Sequence, residues 1–90
     1  MKSHIAIFRF TLTPGQSIGP ANLQSLWVRA CRSVDVSVGR HVSGLASKGK
    51  PMYSLYASQK LQGLQEIEAR LRKLFEESKL TVTLTALHLT

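Results

Sequence analysis

The chain has 90 residues, enough for one small domain that can bury roughly 60–70% of the surface its unfolded form exposes. It is 43% hydrophobic and 19% charged, which excludes a disordered chain, and its longest apolar runs, residues 5–8 and 26–28, fall far short of a membrane-spanning helix. The net charge is +7, and the single cysteine, Cys31, excludes an internal disulfide framework and a cysteine-rich zinc site.

Residues 4–13 alternate, with Ala6, Phe8, Phe10 and Leu12 on one side and Ile5, Ile7, Arg9 and Thr11 on the other. This is a strand pattern, and the cost of burying Arg9 turns the phenylalanine side toward the core, leaving Ile5 and Ile7 outward; the opposite register stays open. Pro14-Gly15 starts a turn-rich loop that ends at Gly19-Pro20, and Pro20 suits a first helical turn. Leu23, Leu26, Trp27, Ala30 and Val34 then recur at steps of three and four, the apolar stripe of an amphipathic helix, with Ser25, Arg29 and Arg32 opposite and Cys31 bordering the stripe.

A second strand is expected from Asp35 through Val36, Val38 and Val42, with Gly39 marking a bulge or bend. Residues 44–51 form a basic loop, and 52–57 a third strand. Ser58 is the expected N-cap of a second helix whose Leu61, Leu64, Ile67, Leu71, Leu74 and Phe75 face inward. Residues 80–90 alternate most cleanly, with Leu80, Val82, Leu84 and Ala86 against Thr81, Thr83 and Thr85, a strand covered on one face only.

The order strand, helix, strand, strand, helix, strand is the split pattern of the ferredoxin-like sandwich. It implies a single α+β domain over residues 1–90, with a four-stranded antiparallel sheet and both helices on one face. Right-handed crossovers put the first and third strands in the centre. The other face, carrying Ile5, Ile7, Arg9, His41, Tyr56 and the threonines, is then free to bind a ligand or a second copy of the chain.

The scaffold hosts many functions, so function must come from particular residues. Gly44-Leu45-Ala46-Ser47-Lys48-Gly49-Lys50 has the G-x-x-x-x-G-K spacing of a phosphate-binding loop. Pro51 follows, however, where the hydroxyl that holds magnesium and the N–H of a following helix belong, so nucleotide hydrolysis is disfavoured. The third strand, Lys50-Pro51-Met52-Tyr53-Ser54-Leu55-Tyr56, resembles the aromatic strand of RNA-recognition-motif domains, which stack bases on such rings. Tyr53 and Tyr56 overlie that motif, while Pro51 occupies the place of its first stacking aromatic; Tyr53 reads as core and Tyr56 as the surface ring. The chain also resembles small CRISPR-adaptation nucleases in length and order, but has no acid before Asp35 to hold a metal. Acylphosphatases share the order too, and their phosphate-binding arginine has no counterpart in the loop after the first strand.

The excess charge lies entirely in residues 1–60, where Asp35 is the only acid, while residues 61–90 are balanced. Such a lopsided field attracts polyanions. The expected function is therefore a non-catalytic nucleic-acid-binding module with no cofactor or metal. Arg9, Arg29, Arg32, Arg40, Lys48 and Lys50 supply phosphate contacts, and His41 and Tyr56 are available for stacking. A rival reading is a protein-interaction module whose open face (Ile5, Ile7, Tyr56) forms a homodimer or docks on an acidic protein surface. A third is a metal-independent ribonuclease using His41 with Lys48 or Lys50. With neither a leader nor a membrane segment in view, a cytoplasmic location is expected.

Overall fold

The computed structural model describes residues 4–13, 15–42 and 51–87. Six elements follow one another: β1 (His4–Leu12), α1 (Pro20–Cys31), β2 (Val36–Val42), β3 (Pro51–Ser58), α2 (Leu64–Glu77) and β4 (Val82–Ala86). The strands form one sheet in the order β2-β3-β1-β4, with every neighbouring pair antiparallel. This is the ferredoxin-like sandwich. Each helix connects two parallel strands separated by one intervening strand, which is why β1 and β3 are central.

The core lies between the sheet and the helices. Phe8 meets Trp27 of α1 edge-on at 5.8 Å, and Phe10 stacks on Tyr53 of β3 at 4.9 Å while tilting against Phe75 of α2 at 4.8 Å. Leu12, Leu55 and Ala57 complete the inner side of the central strands, and Leu23, Leu26, Ala30, Ile67, Leu71 and Leu74 come from the helices. Trp27 is fully buried, and its indole Nε1–H donates to the Tyr56 carbonyl at 2.8 Å. Arg70 reaches from α2 to donate to the Ala30 carbonyl near the end of α1, where an orphan carbonyl and the negative end of the helix dipole both favour a cation.

The alternation expected for β1 is broken by a bulge. Ala6 pairs with Tyr56 and Phe8 with Leu55, so Ile7 is an extra residue with no partner in β3. An extra residue resets the side-chain period of two. Phe8, Phe10 and Leu12 point at the helices as expected, and Arg9 and Thr11 point away. Ile5, opposite buried Ala57, also packs against the core, and Ile7 is only 1% exposed. The outward isoleucines of the simple alternation are thus corrected: the bulge brings both into contact with the core. Gly39, by contrast, is no bulge, for the β2–β3 register runs unbroken from Val36 to Val42.

Two helix boundaries also differ from the sequence pattern. α1 stops at Cys31 because Arg32 adopts a left-handed conformation (φ 56°), and Val34, expected in the buried stripe, is 84% exposed. α2 starts at Leu64 with Gly63 as its N-cap (φ 71°), not at Ser58. The Ser58 hydroxyl instead accepts the Lys60 N–H at 3.2 Å, making a local turn that competes with helix capping. α2 closes with Lys79 left-handed (φ 60°). Its N–H donates to the Glu76 carbonyl and that of Leu80 to the Phe75 carbonyl, the paired bonds of a Schellman ending.

Candidate nucleic-acid interface

With both helices on one side, no described element covers the other face of the sheet. Strand pairing fixes which residues share it. Arg9 of β1 lies between Ser54 of β3 and Thr85 of β4, and Ser54 in turn pairs with Gly39 of β2. In the next rows outward lie Thr11, Met52, His41 and Thr83, and on the other side Ala6, Tyr56 and Ser37. Among the described residues the face is rich in hydroxyls, with Arg9 on a central strand and the aromatic ring of Tyr56.

That ring is seated by a glycine. A Cβ on Gly39 would stand 3.1 Å from Cε2 of Tyr56, closer than ordinary contacts allow, so the absence of a side chain there lets the tyrosine lie over β2. Tyr56 is half-buried in this position, with part of its ring facing outward. The separation of roles expected for the two tyrosines holds: Tyr53 is in the core and Tyr56 is on the open face.

One feature of the face has no trace in sequence spacing. His4 Nε2 lies 3.0 Å from Oδ1 of Asp35, and its Nδ1 lies 3.0 Å from the Ser37 hydroxyl. One tautomer satisfies both contacts: Nε2–H donates to the carboxylate and Nδ1 accepts the hydroxyl proton. The three residues come from β1 and the start of β2, which are separated by β3, and only the fold brings them together. The order hydroxyl, imidazole, carboxylate is that of a hydrolase triad. Here it joins two strands that are not neighbours, and the geometry is that of a clasp across the sheet. It also engages the only acid of the first 60 residues.

The arginines expected at the interface, all of them described, do not gather into one patch. Arg9 is on the open face. Arg40, paired with Tyr53, lies on the helix-facing side of edge strand β2, and Arg29 and Arg32 are exposed on and just beyond α1. The sandwich therefore divides the cations between its two sides. His41 is exposed and shares the open face with Tyr56. Lys48 and Lys50, with the rest of the basic loop, lie outside the described residues, as does His88. Of the proposed interface residues, Ile7 offers almost no surface, Ile5 is half-buried against the core, and Tyr56 is accessible. The only exposed large hydrophobics among the described residues are Val34 and Leu87, neither of them within a strand.

Among the described residues no group of three or more His, Cys, Asp or Glu side chains could hold a metal ion. No described helix is long and apolar enough to cross a membrane. Burial pushes the Cys31 thiol up to about 12, against the opposing pull of the Arg70 guanidinium, so this half-buried sulfur is a poor nucleophile. Compared with known proteins, the chain matches no family model, no curated protein and no solved structure.

Proposed function

We propose that the protein binds single-stranded nucleic acid across its open sheet face. The observation that carries this reading is a partly exposed ring, Tyr56 held over Gly39, on the same sheet face as Arg9 of the neighbouring central strand. Bases stack on such rings irrespective of sequence, and a guanidinium on the same face takes a phosphate or a second base face. His41 and the threonines Thr11, Thr83 and Thr85 extend the same polar surface. The overall charge of +7 adds long-range attraction, while the arginines on the helix side contribute to the field without touching the same strand. Binding alone needs no catalytic group, and a nuclease role would need a second acid or base beside His41. The apolar dimer reading is weakened because Ile7 is turned into the core.

The test is anisotropy of a labelled oligonucleotide titrated at several salt concentrations. Affinity should fall with salt with a slope of about −0.7 for each phosphate engaged, and Arg9→Gln should reduce the slope by about one such contact. Tyr56→Ala should weaken binding by roughly 5- to 150-fold, the equivalent of about 1–3 kcal/mol for one lost stack. Binding that is insensitive to salt, or unchanged by both substitutions, would refute the proposal. A native mass measurement alongside it would reveal a dimer, the outcome expected of the interaction-module reading.

A further inference from the structure

A cavity of about 350 Å³ opens on the helix side of the sheet, near the N-terminus of α1. Its walls are Ser17, Ile18, Gly19 and Pro20 from the loop entering the helix, Leu23 from its first turn, Val38, Gly39 and Arg40 from β2, and Tyr53 from β3. The volume is at the small end of the range seen for ligand sites, about 300–1,000 Å³.

Three independent features of this wall share one chemistry. Tyr53 is 1% exposed, and its hydroxyl has no hydrogen-bond partner among the described residues. Buried hydroxyls are nearly always paired, because leaving one unpaired forfeits its hydration for nothing in return. Arg40 stands beside it, paired with Tyr53 across the strands, exposed and with no acidic partner among the described residues. The third feature is the helix end itself. Gly19 caps α1 without a side-chain hydrogen bond, and the first turn holds no acid. The first helical bond runs from the Leu23 N–H to the Gly19 carbonyl, which leaves the Ala21 and Asn22 N–H groups, Pro20 having none, at the partly positive end of the helix that borders the cavity. Leu23, Val38, Ile18 and Pro20 supply the apolar part of the lining.

We infer that this cavity is a binding site for a small molecule with an anionic head and a flat apolar body, such as an aryl carboxylate or aryl phosphate. The head would sit between Arg40 and the α1 N-terminus, and the body would lie against Leu23 and Val38. A polar atom of the ligand would take up the Tyr53 hydroxyl. Because the site is on the helix side, it is separate from the open sheet face and does not depend on the nucleic-acid reading.

Benzoate, phenyl phosphate and neutral benzamide, titrated into the ¹⁵N-labelled protein, test the inference. At probe concentrations near 10 mM, where a site with Kd about 1 mM is mostly filled, saturable shifts are expected at the Leu23 and Gly39 amides for both anions. Benzamide and the Arg40→Gln variant should each bind about tenfold more weakly, or not measurably. Whichever anion binds tighter identifies the head group. Tyr53→Phe gives the sharper signature. It should weaken the anions several-fold, yet leave the melting temperature of the ligand-free protein unchanged or raised, because the hydroxyl has no bond to lose. It should also leave oligonucleotide binding unaltered. No saturable shift with either anion would overturn the inference, as would equal binding of benzamide and the anions. A lower melting temperature for ligand-free Tyr53→Phe would overturn it too, since the hydroxyl would then have an internal partner.

Discussion

Trp27→Phe should be among the more damaging conservative changes in this fold, and its cost can be worked from the geometry. The indole is fully buried at the centre of α1, edge-on to Phe8, and its N–H reaches the carbonyl of Tyr56 at 2.8 Å. Tyr56 pairs with Ala6, the last regular pair before the bulge, so this bond pins the helix to the sheet where the ladder is disturbed. Phenylalanine keeps an aromatic contact with Phe8 but leaves a void on the order of 40 Å³, worth about 1 kcal/mol. It also removes the donor from a buried carbonyl, at about 1–3 kcal/mol. The sum, about 2–4 kcal/mol, is a large share of the roughly 5–13 kcal/mol expected for a domain of this length. In urea unfolding followed by circular dichroism, the midpoint should fall by about 2–3 M for an m-value near 1.2 kcal/mol/M, with m unchanged. The indole proton of the unmodified protein should exchange only through global opening. A midpoint loss below about 0.5 M, or an indole proton exchanging as fast as those of frayed ends, would refute the anchoring role.

Three further outcomes follow from particular residues. Ile7→Asp should prevent folding at room temperature, because a carboxylate at a position 1% exposed costs several kcal/mol; a folded variant, judged by circular dichroism, would contradict the bulge. Lys79→Gly should raise stability by about 0.5–1 kcal/mol, read as a shift in the urea midpoint, because Lys79 holds the left-handed position of the α2 ending that glycine adopts freely. For Cys31, a folded thiol raised from 9.0 to about 12 exposes far less thiolate at pH 8 than the unfolded chain does. Alkylation of the native protein should be slower by two to three orders of magnitude than in denaturant, and native rates within tenfold would contradict the burial. The linkage sign follows: the stability contributed by the neutral thiol is complete below about pH 9 and is lost as pH rises through about 12.

The order of elements was legible because each relies on periodicity repeated over several residues. The stripe Leu23, Leu26, Trp27, Ala30 and the alternation of β4 each hold several times over, so no single residue could mislead. Boundaries rest on single residues and were less legible. Ser58 has the chemistry of an N-cap and equally that of a turn, and the cap itself is Gly63. The burial of Tyr53 and exposure of Tyr56 were readable from alternation in a strand without a bulge. The clasp of His4, Asp35 and Ser37 was not, since His4 is over thirty residues from both of its partners and meets them only through the strand order. Nor does charge counting foresee that Arg9 and Arg40, each on a strand, fall on opposite faces of the sheet.

The bulge at Ile7 decides more than the register of one strand. Without it, strict alternation would leave Ile5 and Ile7 beside Arg9 on the open face, an apolar patch next to Tyr56 and a natural dimer surface. With it, both isoleucines join the core, while Phe8 and Phe10 still face the helices and Arg9 still faces out. The residue inserted in β1 thus moves large apolar area from the surface to the interior. Among the described residues, that leaves an open face of hydroxyls and imidazoles with Met52, the Arg9 guanidinium and the Tyr56 ring. A surface of that composition offers stacking and charge rather than apolar burial, which is the physical reason for favouring a nucleic-acid strand over a second protein surface as its occupant.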